Sequence, residues 1–182
     1  MNDDEHWSFL ESCKSPRADQ FEQNLRSALE ELPEEELRDF MFHNRVAIAK
    51  SNTPQLKAFA DVIFDSCSDS QYIDFYNWLP MLGKFLHNAA LENADQLVQE
   101  LKSFTRVGGD LGSLPCVVAA EILGDEFDVE GLPELEVDKT RVKEDQYKIL
   151  FPITYKEFVE SGKALMFNCP ISWDEQHSTP QG

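Results

Sequence analysis

Basic residues are scarce in this chain. Sixteen lysines and arginines stand against 34 aspartates and glutamates, which leaves a formal charge of −18 at pH 7. Phosphate contacts need a basic patch, so this balance speaks against direct nucleic-acid binding. It speaks equally against adhesion to an anionic membrane. Long apolar runs are missing too, and nothing approaches the roughly 18 residues that cross a bilayer. The opening Met1–His6 segment is acidic and polar, without the basic start and apolar run of a secretory signal. The four cysteines, Cys13, Cys67, Cys116 and Cys169, contain no Cys-x-x-Cys pair. A zinc site built from local spacing is therefore not expected, and the thiols read as reduced residues of a cytoplasmic protein. The histidines, His6, His43, His87 and His177, offer no pair four residues apart on a helix. No metal and no cofactor is expected. Strand signals are poor, with no Asn-Gly turn and only two short candidates, Glu136–Asp138 and Lys148–Phe151.

What the chain has in quantity is helical periodicity. It is 42% hydrophobic and 11% aromatic, too apolar for disorder despite its charge. A chain of 182 residues suits one domain with a short tail. Asp3 or Asp4 is expected to cap a helix carrying Trp7, Phe9 and Leu10. Phe21, Leu25, Ala28, Leu29 and Leu32 form one apolar stripe on a 3.6-residue period. Pro33 reads as the first residue of the next helix, with Glu34, Glu35 and Glu36 in its first turn. Thr53-Pro54 repeats that signal ahead of Leu56, Phe59, Ala60 and Ile63. Tyr72, Phe75, Trp78, Leu79, Leu82 and Leu86 continue on one side, with a break expected at Pro80. Asn93 caps a further helix, Gly108–Gly112 reads as a loop, and Ser113 and Pro115 open a helix that Gly124 ends. Thr154 reads as the cap of a last helix through Phe158. The expected fold is mainly α, a compact multi-helix domain of about seven to eight helices with at most a minor β element. Residues 1–162 form the expected domain, and 163–182 a partly flexible C-terminal extension.

The acids are unevenly placed. From Val107 to Asp138 there is no lysine or arginine, and Glu30, Glu31, Glu34, Glu35 and Glu36 form a second cluster. Crowded like charges repel, and a cationic partner would relieve that repulsion and be steered in by it. Asp125, Glu126, Asp128, Glu130 and Glu134 are the candidate partner-binding residues. They lack the ligand order of a calcium loop. No catalytic residues are assigned. Gly108-Gly109 lacks the preceding strand and the following Gly-Lys of a phosphate cradle. Asp61 and Asp65 lie four apart on a helix, and such carboxylates more often repel mildly and face water than hold a metal. The expected function is a non-catalytic interaction module, as in an immunity or antitoxin-like protein that binds a basic partner. The alternatives are a nucleic-acid mimic that blocks a DNA-binding protein, and a metal-dependent hydrolase using Asp61, Asp65 and a histidine. The oligomeric state is left open.

Certain residues also resemble a bacterial family known as domain of unknown function four-two-four-zero. His6-Trp7-Ser8-Phe9-Leu10 stands where its aromatic pair begins, and Leu32-Pro33-Glu34-Glu35-Glu36-Leu37 with Phe40 matches its Leu-Pro step. Cys67-Ser68-Asp69-Ser70, Phe75, Trp78-Leu79 and Gly83 resemble its most specific stretch. Ala89-Ala90-Leu91, Asp95-Gln96-Leu97 and Phe151-Pro152-Ile153-Thr154-Tyr155 look like its continuation. Ser70 replaces the second acid of that stretch, and Tyr76 replaces the arginine after the phenylalanine. The resemblance implies an α-helical fold and no firm biochemistry. Trp7, Cys67, Asp69, Phe75, Trp78 and Gly83 carry it, and structural roles are expected for them.

Overall fold

The computed structural model describes residues 1–15, 17–98, 106–107, 110–124, 140–162 and 166–167. Seven helices of ten or more residues are among them: α1 (Asp3–Cys13), α2 (Ala18–Glu30), α3 (Glu34–Ser51), α4 (Pro54–Phe64), α5 (Asp69–Trp78), α6 (Lys84–Asn93) and α7 (Asp110–Leu123). Tight 3-10 turns at Leu79–Leu82 and Ala94–Leu97 follow α5 and α6. A late helical run comprises a 3-10 turn at Glu144–Gln146, α-turns at Tyr147–Leu150 and Pro152–Thr154, and a π-turn at Tyr155–Glu160. A two-residue parallel ladder pairs Arg106–Val107 with Met166–Phe167. The mainly α expectation holds, and the short ladder falls at neither of the two expected strand candidates.

The helix starts follow local chemistry. Asn2, rather than Asp3 or Asp4, caps α1 through a capping box with Glu5. Pro33 is the N-cap of α3 and not its first residue, because its extended ψ of 147° places it outside while its carbonyl accepts the first bond, from Leu37 N at 2.9 Å. Glu34–Glu36 then fill the first turn, where the helix dipole favours negative charge. Thr53 caps α4 with Pro54 just inside it. Pro80 stops α5 as a 3-10 turn, and Gly124 follows α7 at φ 54°, in the left-handed region.

Several expectations are corrected. Lys148–Leu150 is helical and Phe151 is its C-cap, with Phe151 N bonded to Tyr147 O at 2.9 Å, so the segment is not a strand. Thr154 stands at the N-cap position of Tyr155–Glu160 and ends the turn before it, but its side chain makes no capping bond there. Asp110–Gly112 belongs to α7, so Pro115 sits within that helix rather than at its start. Gly112 serves close packing there: a Cβ would lie 2.9 Å from Trp78 N and 3.0 Å from Asn77 C of α5. The second strand candidate, Glu136–Asp138, lies outside the described residues.

The core has two lobes. One gathers Trp7, Leu10, Phe21, Leu25, Leu37 and Phe40 with Leu114 and Val118 of α7. The other gathers Leu56, Phe59, Ile63, Tyr72, Phe75 and Trp78 with Phe151 and Phe158 of the late run. They meet along α3, where Ala47 belongs to the first and Ile48 to the second. Among the described residues no helix is long and apolar enough to cross a membrane.

Candidate functional site

Among the described residues, polar and ionisable side chains converge at three places. The first lies at the seam between the lobes. α1 turns His6 and Trp7 inward, α3 contributes Phe40, His43, Asn44 and Ser51, and α6 contributes His87. The His6 ring centroid lies 5.0 Å from that of Trp7, 4.9 Å from Phe40 and 6.1 Å from His43; Trp7 and His87 are 5.2 Å apart. His6 and His87 are 0% and 1% exposed. His87 Nε2 lies 3.0 Å from Ser51 Oγ and 3.2 Å from the Ala47 carbonyl, to which the Ser51 hydroxyl also donates at 3.1 Å. A carbonyl can only accept, so the proton of neutral His87 sits on Nε2 and Nδ1 carries the lone pair. Both nitrogens of His6, Nδ1 of His87 and Oδ1 of Asn44 have no hydrogen-bond partner. Asn44 leans toward His6 without reaching bonding geometry. Burial, with neighbouring His43, drives the pKa of His6 down to about 4, and burial does the same for His87.

The second convergence is at Asp61 on α4. Its carboxylate accepts the Tyr72 hydroxyl at 2.5 Å, the Tyr147 hydroxyl at 2.9 Å and Cys67 N at 3.1 Å. These bonds brace the α4–α5 turn, where Asp65 and Ser66 adopt φ of 55° and 87°. They also tie the late helical run to α4. Lys57 Nζ stands 4.4 Å from the Tyr72 ring centroid. Burial and the hydrogen bond to Asp61 hold both phenols above their ordinary pKa, and burial pushes the Cys67 thiol up to about 12. Asp65 is exposed and in left-handed backbone past the end of α4, so it does not share the role of Asp61. Among the described residues no group of three or more histidine, cysteine or acidic side chains is placed to hold a metal ion.

The third is Asp95, 4% exposed, in the turn after α6. It accepts Ile153 N at 3.0 Å, Thr154 N at 2.7 Å and Thr154 Oγ1 at 2.7 Å. Those are free amides of a helix first turn, so a residue 58 positions away caps the Pro152 helix. This explains why the Thr154 side chain makes no capping bond: its hydroxyl is a donor to Asp95.

The residues singled out from the sequence fall into two groups. Trp7, Cys67, Phe75 and Trp78 are core. Gly83 sits at φ 88° and ψ 167°, a conformation that strains any residue with a Cβ; the Glu11 and Lys14 side-chain ends that lie beside it can move aside. Asp69 is exposed in the first turn of α5 and 3.9 Å from Arg141; the cap is its neighbour Ser68, in a capping box with Gln71. Asp125, Glu126, Asp128, Glu130 and Glu134 lie outside the described residues. Glu30, Glu31, Glu34, Glu35 and Glu36 are all exposed around the α2–α3 junction, Glu30 paired with Arg26. His6, Asn44, Asp95 and Tyr147 were not expected in these roles, and Asp61 was expected only beside Asp65. Their one legible signal was polarity at positions of an apolar stripe, as at Asn44.

Fold and geometry together define a class: a mainly helical domain whose convergent polar groups serve as buried braces and whose carboxylates crowd outside. The family model described as Protein of unknown function (DUF4240) matches residues 1–119, and the chain belongs to that family. The match covers the Trp7, Cys67–Ser70 and Trp78–Gly83 segments and stops before Phe151–Tyr155. No curated protein and no solved structure matches the chain.

Proposed function

We propose that this protein is a non-catalytic, cytoplasmic interaction module that binds a basic protein through its crowded carboxylates, as an immunity or antitoxin-like protein would. The observation that carries this reading is the α2–α3 corner, where Glu31, Glu34, Glu35 and Glu36 are exposed within six positions. The α3 dipole makes three of these charges tolerable in the free protein. At a net charge of −18 their field reaches outward and accelerates encounter with a cation. The stretch containing Asp125, Glu126, Asp128, Glu130 and Glu134, which has no lysine or arginine, adds to the negative charge that would draw such a partner. The burial of Asp95, His6 and His87 supports the non-catalytic part, since a reacting group must reach its substrate.

The test compares the wild-type chain with two neutralised variants. One carries Glu31→Gln, Glu34→Gln, Glu35→Gln and Glu36→Gln; the other carries the amide equivalents at 125, 126, 128, 130 and 134. Each is immobilised, exposed to source-cell extract, and any recovered basic protein is purified for rate measurements. Association is expected to slow at least tenfold between about 50 and about 500 mM salt, and in at least one variant. Failure to recover a basic protein, or equal binding by all three chains, would refute the reading.

A further inference from the structure

We propose that α1 is a proton-released latch: acidification uncouples this helix from α3 and α6 at the histidine seam while the α4–α5 lobe stays folded. The reason is geometric. At neutral pH both imidazoles are accommodated as uncharged rings, His6 against Trp7 and Phe40, His87 through Nε2 against Ala47 and Ser51. A second proton on His87 must go to Nδ1, and one on His6 turns both its nitrogens into donors. None of these atoms has an acceptor in bonding geometry. An unpaired buried cation is therefore created at each ring, and separating the helices is what returns it to water. The charged and titratable neighbours do not offset this. His43 from α3 acts on His6 with the same sign, the two rings disfavour each other's charge, and Lys50 of α3 acts against His87. Asp3 of α1 opposes them, but it is exposed and already bound to Lys84 of α6. The amides of Asn44 and Asn88 and the Ala47 carbonyl favour the charged rings, but each counts for less than burial, which works against them.

Release is confined to one side because the seam lies between the lobes. His6 and Trp7 belong to α1, and the buried polar braces of the other lobe, Asp61 and Asp95, contain no histidine. Opening would expose the inward face of α1, Trp7, Leu10 and Cys13.

Hydrogen exchange with mass spectrometry on the full chain tests this, at pH 7.0 and pH 4.5 with labelling times scaled for intrinsic exchange. Opening of residues 3–13 is expected to rise on the order of a hundredfold per imidazole at pH 4.5, while residues 54–64 change less than tenfold. His6→Phe keeps the ring shape without the titration and is expected to remove most of the α1 response. Imidazole NMR signals of the wild-type chain give a second readout, with His6 and His87 protonating only as α1 opens. Equal acid sensitivity of the two segments would overturn the proposal. So would an unchanged α1 response in a folded His6→Phe variant, or protonation of both rings without loss of α1 protection.

Discussion

Asp95 is the residue whose removal the structure prices most clearly. Its carboxylate is 4% exposed and accepts three hydrogen bonds, two of them into Thr154, which is 0% exposed. Hydrogen bonds to a charged acceptor contribute about 1.5–3 kcal/mol each, and they are not additive where they share one acceptor. Asp95→Ala also strands the amides of Ile153 and Thr154 at a helix start. We expect a loss of about 3–5 kcal/mol, less than the three bonds would sum to singly, because only neutral donors are left behind. Thr154→Val removes one donor at constant shape and is expected to cost about 1–2 kcal/mol. The two losses should not add: with Asp95 gone the hydroxyl has no acceptor, so the coupling is about 1–2 kcal/mol. Urea unfolding followed by far-UV circular dichroism gives all four corners of that cycle. Hydrogen exchange should show protection lost first over 151–160, the segment that Phe151 and Phe158 anchor in the α4–α5 lobe. A loss below about 1 kcal/mol for Asp95→Ala, or simple additivity with Thr154→Val, would refute the idea that this carboxylate caps the late helix.

Three further outcomes follow from the same geometry. Because the folded state refuses protons at His6 and His87 down to about pH 4, stability should fall as pH drops from about 6.5 toward 4, by about 3 kcal/mol per ring, and level off below; urea midpoints that stay flat across that window would contradict it. Gly112→Ala should cost about 1–3 kcal/mol because its Cβ meets the α5 backbone, and Gly83→Ala a similar amount through its φ of 88°; thermal melts indistinguishable from wild type would rule out the close approach at Gly112 and the strain at Gly83. Tyr72 and Tyr147 keep their protons in the folded state above their ordinary pKa, so stability should fall as pH rises past about 10. An absorbance titration should show these phenols ionising only with unfolding, and Tyr147→Phe should cost about 1 kcal/mol.

Fold class, the start of α4 and the apolar stripes were determined by the sequence alone, since caps, first-turn residues and 3.6-residue spacing act between near neighbours. Thr53-Pro54, the break at Pro80 and Gly124 are where that local chemistry was sufficient. Local reading failed at Gly112, whose lack of a side chain looked like a loop signal and is a helix-packing one. It failed again at Lys148–Phe151, where a short apolar run carries no period long enough to separate strand from helix. The polar braces lay beyond it altogether. Asp61 meets Tyr147 across 86 positions, Asp95 meets Thr154 across 59, and His87 meets Ser51 across 36. Nothing in a residue's neighbours says which distant donor will neutralise it. Only tertiary packing decided that these groups would be sealed inside, because a buried carboxylate or imidazole is tolerable only where the fold brings it a partner or keeps it uncharged.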